Sequence, residues 1–173
     1  MSWKAFWTAL GRDTRGAAAV EFALWSVFVF IVLFVSIDFG FYLAHTGRIA
    51  SASEQTAIVA YNRREAGPVN TASLADFLNA SARTPGSAVR TTVTCNGAAA
   101  ACDAAPSARQ CVCVSGLTPT YTASARCGDP CASGATSGFY VALSSEYDFQ
   151  PIIPSHPFLN GKVIRQSVTV RLQ

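Results

Sequence analysis

One apolar stretch near the start of the chain, Arg15–Ala44, constrains the fold more than any other: RGAAAVEFALWSVFVFIVLFVSIDFGFYLA. Between Phe22 and Ile37 it holds no charge, no Pro and no Gly, and every residue from Val27 to Val35 is Ile, Val, Leu or Phe. Only Glu21 and Asp38 place a charge within Ala17–Ala44. At ~1.5 Å of rise per residue, Glu21 to Asp38 covers about 26 Å, against a bilayer hydrocarbon thickness of ~30 Å. A cleaved secretory signal would carry a shorter run and a small-x-small site, which Tyr42-Leu43-Ala44 does not supply. A buried helix of a soluble core seldom needs so long a run. The stretch therefore predicts one transmembrane helix over residues 17–44, with a carboxylate near each membrane face.

The remaining residues, 45–173, suffice for one small domain. All six cysteines, Cys95, Cys102, Cys111, Cys113, Cys127 and Cys131, fall in that part. An even, clustered count points to disulfides in an oxidising compartment, which puts the domain outside the cytoplasm. The charges agree: Lys4, Arg12 and Arg15 precede the span against Asp13, so the basic side and the N-terminus are cytoplasmic. The net charge is +3 and the only lysines are Lys4 and Lys162, so there is no clustered basic face for a nucleic acid.

Residues 1–16, MSWKAFWTALGRDTRG, read as a basic cytoplasmic leader. Trp3, Phe6, Trp7 and Leu10 fit one helical face that could lie in the membrane interface; a disordered tail is the alternative. The leader ends in Gly16, small or apolar residues Ala17–Val20 follow, then Glu21, then the apolar helix. This order resembles the processing site of type IV prepilins. More narrowly, RGAAAVEFA, together with Asp38-Phe39-Gly40 after the span, is similar to the TadE-like minor pilins (pseudopilins) of tight-adherence, or Flp-type, pilus systems. The resemblance implies cleavage between Gly16 and Ala17 by an inner-membrane prepilin peptidase. It also implies pairing of Glu21 with a neighbouring subunit, which sets register during assembly. Physically, the amino group freed at Ala17 would sit one helical turn from Glu21, and a carboxylate at the membrane edge gains from such a partner. Asp38 falls at or just beyond the outer interface, where simple solvation is the default reading and a packing or pairing role in assembly the alternative.

Beyond the span, residues 45–66 hold no Pro and read as a helix continuous with it, ending at Gly67-Pro68; a kink near Gly47 is the alternative. Ser73-Leu74-Ala75-Asp76 has the shape of a capping box and predicts a second helix over 74–83, stopped by Thr84-Pro85-Gly86. From residue 87 the apolar period becomes two, and strands are expected near 87–95, 110–115, 139–149 and 163–172. Residues 96–108 and 116–138 read as loops, and the Pro-rich 150–161 as an extended connection. Its apolar Ile152, Ile153, Phe158 and Leu159 either fold back on the sheet or form a partner surface. The expected fold is α+β: a long N-terminal helix, transmembrane and then extracytoplasmic, followed by a small disulfide-containing domain with an antiparallel sheet of about four strands.

Cys111 and Cys113 lie two apart on one strand face, a spacing that rarely bridges, so each should find a loop partner. Cys127 and Cys131 are the nearest, leaving Cys95 with Cys102; this is one of about 15 connectivities. A zinc site is the rival, but only Cys127-x3-Cys131 has ligand spacing and no His is near. No metal or other cofactor is expected.

The two histidines, His45 at the membrane edge and His156 in the Pro-rich loop, do not complete any catalytic motif, so the chain reads as a non-enzyme with no small-molecule substrate. The expected function is that of a minor pilin or pseudopilin in assembly of a tight-adherence pilus for surface adhesion. It would be a single-pass protein of the bacterial inner membrane, with its C-terminal domain periplasmic, or incorporated in an extracellular pilus. Its partners would be inner-membrane lipid, the prepilin peptidase and other pilins with their assembly machinery. The alternative is an uncleaved, membrane-anchored envelope protein whose disulfide-bonded outer domain binds or adheres.

Overall fold

The computed structural model describes residues 16–84, 88–116, 119–152 and 158–173. The leader through Arg15, the Pro85-Gly86 stop, Ile153 and His156 lie outside the described residues.

Helix α1 runs unbroken from Ala17 to Asn62, 46 residues, with Gly40 and Gly47 inside it, so no separate helix begins at Gly47. It ends five residues before Gly67: Arg63 closes it by donating its N–H to Val59 O at 3.1 Å. A turn follows, and Gly67, at φ 145°, redirects the chain in a backbone region that favours glycine. Helix α2 spans Thr71–Ala82. Its cap is Asn70, whose side chain accepts from the Ser73 N–H at 2.9 Å, in place of a box begun by Ser73. Either residue type can cap; Asn70 does so because the chain leaves its extended conformation there, three residues earlier than the Ser73 reading.

Strands β1 (Arg90–Cys95), β4 (Tyr140–Asp148) and β5 (Val163–Arg171) form an antiparallel sheet in the order β1-β4-β5. Strands β2 (Val112–Ser115) and β3 (Thr120–Ala123) form a second, two-stranded sheet. The architecture is α+β and antiparallel, with five strands among the described residues, divided three and two. The added strand, β3, lies in a stretch rich in Gly, Ser and Thr whose only strand signal is Thr120-Tyr121-Thr122. In the 96–108 loop, two short 3-10 turns, Ala99–Asp103 and Pro106–Ala108, occupy much of the chain.

The outer half of α1 packs across the three-stranded sheet. Its buried residues, Ile49, Ala52, Ser53, Thr56, Ala57 and Ala60, recur at helical spacing. Small side chains let the helix approach closely, and Ser53 Oγ meets Ser145 Oγ of β4 at 3.2 Å. Two apolar clusters result. The one nearer the span gathers Ile49, Leu78, Ala82, Tyr147, Phe149, Leu159 and Ile164; the farther one gathers Ala57, Ala60, Leu74, Phe139, Val141 and Leu143. Along the shared interface α1 climbs away from the span as β4 descends toward it: Ser53 meets Ser145, His45 stacks on Tyr147, and Tyr42 meets Phe149 edge-on at 5.4 Å.

Candidate assembly and membrane interface on helix α1

The inner half of α1 is bare. Its 18-residue apolar window has a mean hydropathy of 2.5 and none of it is buried, so the helix is long and apolar enough to cross a membrane. Every backbone group inside such a helix is paired within it, as a bilayer requires. The two serines in the run are also satisfied locally: Ser26 Oγ donates to Phe22 O at 2.7 Å and Ser36 Oγ to Val32 O at 2.8 Å. Hydroxyls bonded back one turn cost a membrane helix little. Phe28, Val29, Val32, Leu33, Ser36 and Ile37 line a shallow apolar groove on this half.

Gly16 precedes the helix as its N-terminal cap, and Gly16, Ala17 and Glu21 are exposed. The structure thus leaves the Gly16–Ala17 bond and the Glu21 carboxylate accessible at the start of the helix.

Asp38 behaves differently. It is fully buried, and its Oδ1 accepts the backbone N–H of Ile152 at 2.8 Å. Simple solvation at the outer interface is therefore corrected: the segment after β4 folds back over the helix and covers the carboxylate. Nothing in the sequence near Asp38 signals this contact, because the donor is a backbone group from the far end of the chain.

Just above Asp38 lies an aromatic junction. His45 stacks on Tyr147 with centroids 5.4 Å apart and meets Phe149 at 6.0 Å. Its Nδ1 is buried and has no hydrogen-bond partner among the described residues. Burial lowers the His45 pKa, and nearby Arg48 lowers it further. Burial raises the Tyr147 phenol. Its position in the sequence marks His45 only as a residue at the end of the apolar run; its place in the junction depends on β4.

The cysteines form three bridges, Cys95–Cys102, Cys111–Cys127 and Cys113–Cys131. The first lies in the far cluster of the core, with both residues at 0% exposure. The other two tie Cys111, buried in the same cluster, and Cys113 of β2 to the 127–131 loop. Arg109 holds the far end together by donating to Arg64 O at 2.7 Å and Gly67 O at 2.9 Å. Burial lowers its pKa, against the pull of Glu65. No group of three or more His, Cys, Asp or Glu side chains is placed to hold a metal among the described residues.

Compared with known proteins, residues 16–57 match the family model described as TadE-like protein. Neither the curated proteins nor the solved structures contain a match to the chain. The matched segment begins at Gly16, takes in the span, Glu21 and Asp38, and ends on the face of α1 that packs against the sheet. At a coarse level the family implies a minor pilin associated with a tight-adherence pilus, a structural kind of protein that associates with other pilus components. Over residues 16–57, from the start of α1 to its packed outer half, the chain is similar to the TadE-like family.

Proposed function

We propose that the protein is a minor pilin or pseudopilin that is cut between Gly16 and Ala17 by a prepilin peptidase and then takes part in assembling a tight-adherence pilus. The observation that carries this reading is the TadE-like match over an unbroken helix whose inner half is wholly uncovered. A bare apolar helix that opens in Gly, small residues and Glu suits extraction from lipid into a bundle of like helices. Helix packing in that setting relies on van der Waals fit, and the groove from Phe28 to Ile37 is a seat for a neighbouring helix. Glu21 is the register group. In the bilayer edge or in a bundle its charge gains from a partner ammonium, for which the new Ala17 amino group of a neighbour is suited.

The outer domain stays on the oxidising side, where its three disulfides persist. It presents the β2–β3 sheet and its loops farthest from the span as the part that contacts partners. The reading is tested by Glu21→Ala. The variant should insert in the membrane normally yet fail to co-purify with sheared pili or their assembly complex. Undiminished co-purification would remove the register role.

A further inference from the structure

We infer that the segment leaving β4 and the turn entering β5 form a foot that rests in the outer membrane interface, with Ile152 and Phe158 inserted among the lipids. The inference rests on the reading of α1 as membrane-spanning.

Height along the helix is the first argument. Asp38 lies about 26 Å from Glu21 on the α1 axis, near the outer limit of the ~30 Å hydrocarbon layer. The hydrogen bond from Ile152 N–H to Asp38 Oδ1 puts the Ile152 backbone at that same level. The turn that contains Phe158 is held nearby: Leu159 O accepts from Lys162 N–H at 3.2 Å, and Lys162 O accepts from Phe149 N–H at 3.0 Å. The Phe149 ring in turn packs on Tyr42, about 6 Å above Asp38 along the helix.

Side-chain exposure is the second. Leu159 is 4% exposed and belongs to the near core cluster, whereas Ile152 is 57% and Phe158 68% exposed. Among the described apolar residues of this segment, the fold thus uses Leu159 internally and leaves Ile152 and Phe158 exposed. Phe39 and Phe41 of α1 are also substantially exposed there, which continues one apolar rim from the span onto the domain. Water would make that rim costly; the interface, which favours aromatic and aliphatic groups beside polar ones, makes it favourable.

Backbone accounting is the third. Irregular chain at the hydrocarbon edge needs its polar groups satisfied by protein. Asp38 supplies an acceptor for the Ile152 N–H at that depth, which gives a buried carboxylate at the end of a membrane span a reason to be there. A foot of this kind fixes the tilt of the outer domain on the membrane before assembly.

The test uses the full chain, oxidised, in vesicles of phosphatidylethanolamine and phosphatidylglycerol. The native cysteines are all paired, so single additions can be labelled with a nitroxide. Ile152→Cys and Phe158→Cys are compared with Phe28→Cys in the span and Ala72→Cys at the exposed far end of α2, using collision with dissolved oxygen against collision with a water-soluble nickel chelate. We expect oxygen to dominate at 28, nickel at 72, and oxygen to exceed nickel at 152 and 158. Water-like labels at 152 and 158 with a lipid-like label at 28 would overturn the foot and leave the span intact. A water-like label at 28 would overturn both. Labels at 152 and 158 shielded from both reagents would show a protein contact and overturn lipid as the occupant.

Discussion

The backbone N–H of Ile152 donates to Oδ1 of Asp38 at 2.8 Å, joining positions 114 residues apart at the point where the span ends and the outer domain begins. The bond ties the exit of β4 to the helix that β4 packs against. It also turns a charge that looks like a boundary marker into part of the junction between the bare half of α1 and the domain.

Removing that acceptor should loosen the junction. Hydrogen bonds to charged groups contribute about 1.5–3 kcal/mol net, and an orphaned buried donor adds to the loss. Asp38→Ala is expected to lower Tm by roughly 4–8 °C, for a loss of about 2 kcal/mol, while Asp38→Asn, which keeps an acceptor oxygen, should lose less than half of that. Thermal unfolding in detergent micelles measures this, and equal stability of the Ala variant and the parent would show that the bond adds nothing.

The His45 junction should make stability depend on pH. Folding lowers the His45 pKa, through burial first and Arg48 second, so the unfolded chain binds the proton more readily. The stabilisation is complete above the unfolded value near 6.5 and is lost as pH falls from there toward the depressed folded value. Asp38 and Tyr147 also line this junction; only a charged Asp38 would oppose the shift. Tm should therefore fall between pH 7.5 and the mildly acidic range, and His45→Phe, which keeps the ring stack on Tyr147, should flatten the difference. Parallel pH profiles in parent and variant would contradict the assignment.

The three disulfides are not equivalent. Cys113–Cys131 holds a small sheet with little core of its own, so Cys113→Ser with Cys131→Ser should loosen the β2–β3 region, with Cys111–Cys127 still in place, while the three-stranded sheet persists. Limited proteolysis should then cut first between residues 116 and 135. Loss of Cys95–Cys102, fully buried against the far cluster, should instead lower the stability of the whole domain, by about 2–5 kcal/mol.

Much of this fold was legible in local signals. Unbroken apolarity marks a helix long enough to cross a membrane, and the lack of Pro from Ala17 to Asn62 carries that helix into the domain. Alternation alone marks β4, whose buried Val141, Leu143, Ser145 and Tyr147 lie two apart. Short or conditional features were not legible. Three β-formers in a Gly- and Ser-rich loop are too few to announce β3. Asn70 and Ser73 are both competent caps, and only the chain's exit angle selects Asn70. For the cysteines, strand geometry turns Cys111 and Cys113 toward the 127–131 loop, but the order of the two bridges depends on how that loop folds. The Asp38 contact lay furthest out of reach, since a backbone donor has no residue type to betray it. Gly16 and Glu21 stand the other way round: their meaning comes from their order in the chain, and the structure adds only that both are exposed.

The mass of the mature N-terminus tests the central claim most directly. Protein recovered from sheared pili or from the membrane of a pilus-bearing host should begin at Ala17 and lack residues 1–16. A full-length chain still beginning at Met1, in a host whose other prepilins are processed, would contradict the pilin reading and leave a membrane-anchored envelope protein in its place.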